Sequence, residues 1–273
     1  MQNMKTSRLQ HVMLVACMLL PCWHVSARES SVTKTDGAKE WRGKYPKRTV
    51  YTVKGVEFAM IAVEGGTFQM GNSAGEADEN PVHEVKVRNF SIGQTEVTQE
   101  LWEAVMGSNP STWKGAKYPV ESVSWDDCRA FIKKLNRLTG ERFRLPKEAE
   151  WEYAARGGKL SNGYVYSGSN NIEDVAWYEN NLFSRPHMVA MKAPNELGLY
   201  DMSGNVWEWC LDLYDSEYYF YSPKRNPSGA YTGTDRVLRG GSWGGTAKLC
   251  RVTERNYLDP EGMANIIGFR LAL

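Results

Sequence analysis

The sequence predicts a loop-rich α+β domain, and three observations support this. Short strand patterns lie towards both ends of the chain, over residues 58–70 and 268–272, and three helical patterns lie between them. The 273 residues include 25 Gly, 14 Tyr and 10 Trp, which is typical of tight loops packed by aromatic rings. A helical bundle would contain less glycine, so that class is excluded.

The strand patterns open the domain. Residues 58–63 and 67–70 flank a turn at 64–66, which predicts a hairpin. A further strand with a bulge is predicted over 82–90, because its valines are not strictly in phase. The final strand is predicted over 268–272.

Three helices follow from capping signals and apolar periodicity. Each pairs a residue typical of a helix start with a glycine typical of a helix end: Thr98 with Gly107, Ser124 with Gly140, and Pro146 with Gly157. The glutamates of the third helix, Glu148, Glu150 and Glu152, alternate and are expected mostly to face solvent.

Residues 1–27 have the pattern of a signal peptide. Lys5 and Arg8 precede an apolar run, and a small-residue cleavage site ends at Ala27. The run is shorter than the ~20 residues of a membrane span, so no transmembrane segment is expected. A lipoprotein cleavage box at Cys17 is the second-ranked alternative, since it leaves almost no apolar stretch before the cysteine. We therefore expect export, to the periplasm, the cell envelope or the medium.

The predicted mature chain divides into two parts. Residues 28–49 are polar and basic and are interpreted as an N-terminal tether, with partial packing on the domain as the alternative. Residues 50–273 form one domain. The formal net charge of +1 offers no field to steer the protein toward nucleic acid or acidic membranes, so nucleic acid is not an expected partner.

The predicted mature chain keeps two histidines and three cysteines: His83, His187, Cys128, Cys210 and Cys250. Two histidines are too few for a three-histidine metal centre. Three cysteines allow at most one intramolecular disulfide, and its presence stays open.

Several short motifs follow one another along residues 58–273. They are GGTFQMG (65–71), ENPVHEV (79–85), EVTQELW (96–102), YPVESVSW (118–125), RLPKEAEWEYAARGG (144–158), GLYDMSGNVWEW (198–209), RGGSW (239–243) and GFRLA (268–272). Together they resemble the formylglycine-generating enzyme family, also called the sulfatase-modifying factor family. The resemblance implies a C-type-lectin-like fold, but it implies much less about activity.

Family members that make formylglycine oxidise a sulfatase cysteine with O₂ and a copper(I) ion held by two cysteines. Copper(I) is soft and prefers thiolates. By motif register Cys250 matches the second cysteine, whereas Gly245 occupies the first position and has no side chain. Copper is therefore doubtful. Cys250 is expected to be a small buried hydrophobe, and a catalytic role beside Ser242 is the alternative.

The resemblance also implies a calcium site in the loop 201–208. Its ligands would be the side chains of Asp201 and Glu208 and the carbonyls of Gly204 and Val206, oxygen donors that suit a hard cation. Without the resemblance, a turn in which Glu208 pairs with an arginine would be favoured. With it, calcium is the expected cofactor.

Two function classes remain. The first is an exported, calcium-stabilised, non-oxidase module that binds a protein or peptide, or assists assembly, at the cell envelope. The alternative is a formylglycine-generating oxidoreductase, or another oxygenase, that acts on a cysteine of sulfatases. Gly245 favours the first class, and the retained Cys250 and Ser242 favour the second.

Overall fold

The computed structural model describes residues 32–36, 45–181 and 184–273, and the predicted signal peptide lies outside them. In chain order the strands are β1 Thr33–Asp36, β2 Arg48–Val53, β3 Val56–Val63, β4 Thr67–Met70, β5 His83–Lys86, β6 Phe90–Gly93, β7 Trp207–Leu213, β8 Arg236–Arg239, β9 Arg255–Leu258 and β10 Ile267–Gly268. The helices are α1 Gln99–Met106, α2 Trp125–Thr139, α3 Glu148–Ala155, α4 Ile172–Val175 and α5 Tyr218–Tyr221. Within the described ranges, none of the helices has the length and hydropathy that crossing a bilayer requires.

The first sheet is antiparallel and has the order β1-β2-β3-β6. Its edge strand β1 lies inside the segment predicted to be a tether and pairs with β2 over four residues, from Thr33–Thr52 to Asp36–Thr49. Part of that segment therefore packs on the domain, as the alternative interpretation proposed.

The predicted hairpin over residues 58–70 is wrong, because β3 and β4 belong to different sheets. Both edges of β3 are occupied, by β2 and β6, and β4 pairs with β5 instead. The intervening glycines cross a neighbouring segment: a Cβ on Gly65 would lie 2.4 Å from the Val87 carbonyl oxygen, and the Val87 amide donates to Gly66 (2.9 Å). This crossing also splits the strand predicted over 82–90 into β5 and β6.

The predicted helix ends are largely confirmed. Thr98 and Ser124 cap α1 and α2 through their side chains, and Gly107 and Gly140 end them in the left-handed conformation. The third helix, α3, starts two residues after Pro146. These ends were predictable because each depends on a few adjacent residues.

The second sheet, β10-β7-β8-β9, carries the motif loops. Its strand β7 pairs in parallel with β10 and antiparallel with β8. Of the strand predicted over 268–272, only the first residue belongs to β10; beyond it, Ala272 bridges to Ile92 and Arg144. The loop that leads into β7 and the loop that leaves β8 are therefore attached to adjacent strands. Trp209, in β7, is fully buried beside them.

Candidate functional site

The two motif loops meet in one place. The Gly204 amide donates to the Gly240 carbonyl (2.7 Å), and the Trp243 amide donates to the Asn205 carbonyl (2.8 Å). The Ser203 hydroxyl donates to the carbonyl of Cys250 (2.8 Å). The structure thus brings Ser242 and Cys250 next to the loop 201–208, which was predicted to bind calcium. About 40 residues separate the two segments in the chain.

Cys250 sits in this contact as a buried thiol. It ends a short 3-10 helix, Ala247–Cys250, and it has no exposed surface, as expected for a small buried hydrophobe. Burial raises the pKa of Cys250 to about 12, and the nearby Ser242 amide opposes that shift only in part. Reactive cysteines have a lowered pKa and some access, so this thiol has the properties of a structural one.

The glycine turn in RGGSW covers the sulfur. A Cβ added to Gly241 would lie 2.7 Å from Cys250 Sγ and 2.7 Å from the Leu249 carbonyl oxygen. The sulfur therefore packs directly beneath that turn. Ser242 is also buried, with 1% of its surface exposed, and its hydroxyl has no hydrogen-bond partner among the described residues.

Position 245 packs beside Leu249. A Cβ added to Gly245 would first meet Leu249 Cδ1 at 3.3 Å. Cys128, Cys210 and Cys250 are all free, so no disulfide joins these three cysteines. Burial also raises the pKa values of Cys128 and Cys210 well above their usual range. All three are therefore buried free thiols in this structure.

The loop predicted to bind calcium contains two buried carboxyl groups, but Glu208 is already neutralised. Arg270 donates from Nε to Glu208 Oε2 (2.6 Å) and from Nη2 to Oε1 (2.5 Å), and Trp151 Nε1 donates to Oε2 (2.7 Å). Both oxygens are therefore engaged, which matches the arginine pairing considered as the alternative. This donor set does not fit a calcium ion unless Glu208 leaves Arg270. Calcium binding by Asp201, Gly204, Val206 and Glu208 stays a prediction.

A further metal centre is not built elsewhere in the part of the chain that the structure describes, where no three His, Cys, Asp or Glu side chains group to hold an ion. His83 and His187 both pack against aromatic rings. His83 packs on Tyr219 with ring centroids 4.6 Å apart, and His187 stacks on Trp177 at 3.7 Å.

Sequence reasoning missed Glu96, which faces the same buried charges. Only 2% of its surface is exposed. Burial raises its pKa well above the usual range, and the charges of Asp201 and Glu208 raise it further. Burial likewise raises the pKa of Asp201 to about 6, although the Ala190 amide donates to its Oδ2 (2.7 Å). The motif EVT marked the position, but its chemistry depends on residues about a hundred positions away.

Buried ion pairs surround the site, and they correct the expectation for α3. Glu148 and Glu152 do not face solvent: their exposed fractions are 1% and 0%. Arg239 pairs with Glu152, and Arg255 donates from Nε to Glu148 Oε1 (2.7 Å) and from Nη2 to Oε2 (3.1 Å). Burial raises the pKa of Glu148, but Arg255 and Arg239 outweigh it and the net shift is downward. The two ion pairs hold α3 against β8 and β9.

A family model for the sulfatase-modifying factor enzyme 1-like domain matches residues 52–273. The chaperone protein LppX of Paenibacillus barcinonensis is 32% identical over an alignment that covers 78% of this chain and 88% of that protein. A formylglycine-generating enzyme of Streptomyces coelicolor is 33% identical, with the same two coverages.

Among solved structures, Treponema denticola variable protein 1 superposes with a TM-score of 0.76 at 36% identity. The match covers 82% of this chain and 98% of that one. The predicted fold, a loop-rich α+β architecture of the formylglycine-generating-enzyme type, is thereby confirmed.

Proposed function

Because the chain belongs to the sulfatase-modifying factor family, we propose that it keeps the family fold without copper-dependent oxidation. In this proposal it is an exported module that binds a protein or peptide, or assists its assembly, at the cell envelope. Export rests on the signal-peptide pattern of residues 1–27. One fold can host many functions, so the residues of the site decide the activity.

The observation that carries the proposal is the state of Cys250. Its thiol is buried beneath Gly241, its pKa is raised to about 12, and no second cysteine stands at position 245. A copper(I) centre of the family type needs two thiolates that a third, from the substrate, can reach. Here one is absent and the other is protonated and enclosed.

The two relatives support different candidate functions. LppX is named a chaperone, which agrees with a binding or assembly role. The Streptomyces relative is named a formylglycine-generating enzyme, which keeps oxidation of a sulfatase cysteine as the second candidate. The retained Ser242 and Cys250 favour that candidate, but their burial opposes it.

The experiment is mass spectrometry of a cysteine-containing sulfatase peptide incubated with the protein, copper, a reductant and air. We expect no formylglycine above the level of a Cys250→Ser control. The Gly245→Cys variant should also be inactive, because its new side chain would face Leu249 and Cys250 would stay enclosed. Formylglycine made by the wild type and lost in Cys250→Ser would overturn the proposal and establish the oxidase.

A further inference from the structure

We propose that a basic groove, which shares no lining residue with the site around Cys250, binds a ligand that carries two or more phosphate or sulfate groups. The groove has a volume of about 680 Å³ and is lined by Gly65, Lys86, Val87, Arg88, Asn89, Lys147, Arg225 and Asn226. Four of these eight residues are cationic and none is acidic. The inference does not depend on whether the protein oxidises cysteine.

The four positive charges are not balanced by the protein. Among the described residues, none of Lys86, Arg88, Lys147 and Arg225 forms an ion pair with a carboxylate. Acids close to the groove residues in the chain pair with other cations. Glu64 pairs with Lys159 (2.5 Å) and Glu150 with Arg144 (2.6 Å). Glu148, next to Lys147, pairs with Arg255 (2.7 Å), and Glu84 lies 4.0 Å from Lys224. In a chain with a net charge of +1, this concentration of charge is local rather than general.

Three backbone segments form the wall of the groove and are joined rigidly. The Lys86 amide donates to the Lys224 carbonyl (2.7 Å), and the Asn226 amide donates back to the Lys86 carbonyl (2.8 Å). The Arg88 amide donates to Asn226 Oδ1 (2.8 Å), and the Gly65 amide donates to Asn89 Oδ1 (2.8 Å).

Asn226 takes the left-handed conformation, with φ at 49°, to make these contacts. Lys147 then donates from Nζ to the Asn226 carbonyl (3.3 Å), which holds this ammonium beside the same turn. The cations therefore stand on a fixed frame, so binding an anion would order only the ends of side chains. Such preorganisation lowers the entropic cost of binding.

The residue types indicate the chemistry of the ligand. Arginine offers a planar fork of donors that matches an oxyanion, and lysine offers a compact point charge. The groove is within the usual range of ligand sites, about 300–1,000 Å³, and is much larger than one phosphate needs. Two arginines and two lysines around one space suit several closely spaced oxyanions. Such groups occur on free polyphosphates and on sulfated glycan chains.

The test measures binding of two probes to the full chain: inorganic tripolyphosphate, and a short dextran sulfate oligosaccharide. The variant Lys86→Gln/Arg225→Gln removes two groove charges at exposed positions. The matched control, Lys133→Gln/Lys134→Gln, removes two exposed charges from α2. We expect the groove variant to raise Kd about tenfold, equivalent to about 1.4 kcal/mol, while the control stays at the wild-type value. Salt should weaken wild-type binding, since exposed charges are screened.

Each outcome bears on the proposal. If tripolyphosphate binds the wild type and binds the groove variant more weakly, the ligand class is a free polyphosphate. If only dextran sulfate does so, the ligand is an anion carried on a polymer. The proposal requires that the groove variant binds more weakly while its melting temperature stays that of the wild type. It also requires that Arg88→Glu weakens binding. If neither probe binds, or if the two double variants weaken binding equally, the groove is not an anion site.

Discussion

Replacing Glu208 by glutamine (E208Q) tests how the site loop is stabilised. Glu208 and Arg270 have no exposed surface, and their two hydrogen bonds of 2.6 and 2.5 Å join them side by side. Glutamine keeps the size of the side chain and an acceptor for Trp151, but it removes the negative charge. Arg270 would then remain buried without the partner that compensates it.

The size of the effect follows from this burial. Breaking a buried ion pair by removing one partner costs about 3–5 kcal/mol. The lower end applies here, because Glu208 raises the pKa values of Glu96 and Asp201, and both would ionise more easily without it. We therefore expect a loss of about 3 kcal/mol. For a domain of this size the melting temperature should fall by about 6–12 °C.

The assay is urea unfolding and thermal melting of the wild type, E208Q, Arg270→Met and the double variant, each with and without a calcium chelator. The double variant should recover much of the loss, since an uncharged pair leaves no buried charge unpaired. A stability of E208Q within about 0.5 kcal/mol of the wild type would refute the reasoning, because that is the range of neutral surface changes. A melt that falls with chelator only when Glu208 is present would instead establish the calcium site.

Two other predictions concern packing and pH. Gly241→Ala should destabilise the fold by about 1–3 kcal/mol in urea, since its Cβ would overlap Cys250 Sγ and its φ is 77°. Gly107→Ala, with φ at 89° and no atom within 4 Å, is the control for backbone strain alone and should lose less, about 1–2 kcal/mol; equal losses would exclude the packing argument. Burial raises the pKa of Asp212 to about 8, so the folded state holds a proton that the unfolded chain releases above about 3.9. The stability from this group is thus present at acid pH and is lost as the pH rises towards 8. Asp212→Asn should remove that decline relative to the wild type, and parallel pH profiles would contradict it.

Which features the sequence could predict depended on how local their causes are. The ends of α1 and α2 follow from Thr98, Ser124, Gly107 and Gly140, each acting within a few residues. The partner of β4 could not be read in this way, since strand pairing depends on segments that meet only in the folded chain. The burial of Glu152 depends on Arg239, 87 positions away, so an isolated helical pattern assigned it to solvent.

Position 245 contributes to the fold through its backbone, whereas position 250 contributes through its side chain. The Gly245 amide donates to the Ser242 carbonyl (3.0 Å), and the Gly245 carbonyl accepts from the Glu179 amide (3.0 Å), so its structural contacts are made by the backbone alone. Cys250, by contrast, fills the space beneath Gly241. A substitution at 245 can therefore remove a metal ligand at little cost in stability, whereas the sulfur at 250 is retained by packing. Under the proposed function, this packing explains why Cys250 persists although Gly245 stands at the family's first cysteine position.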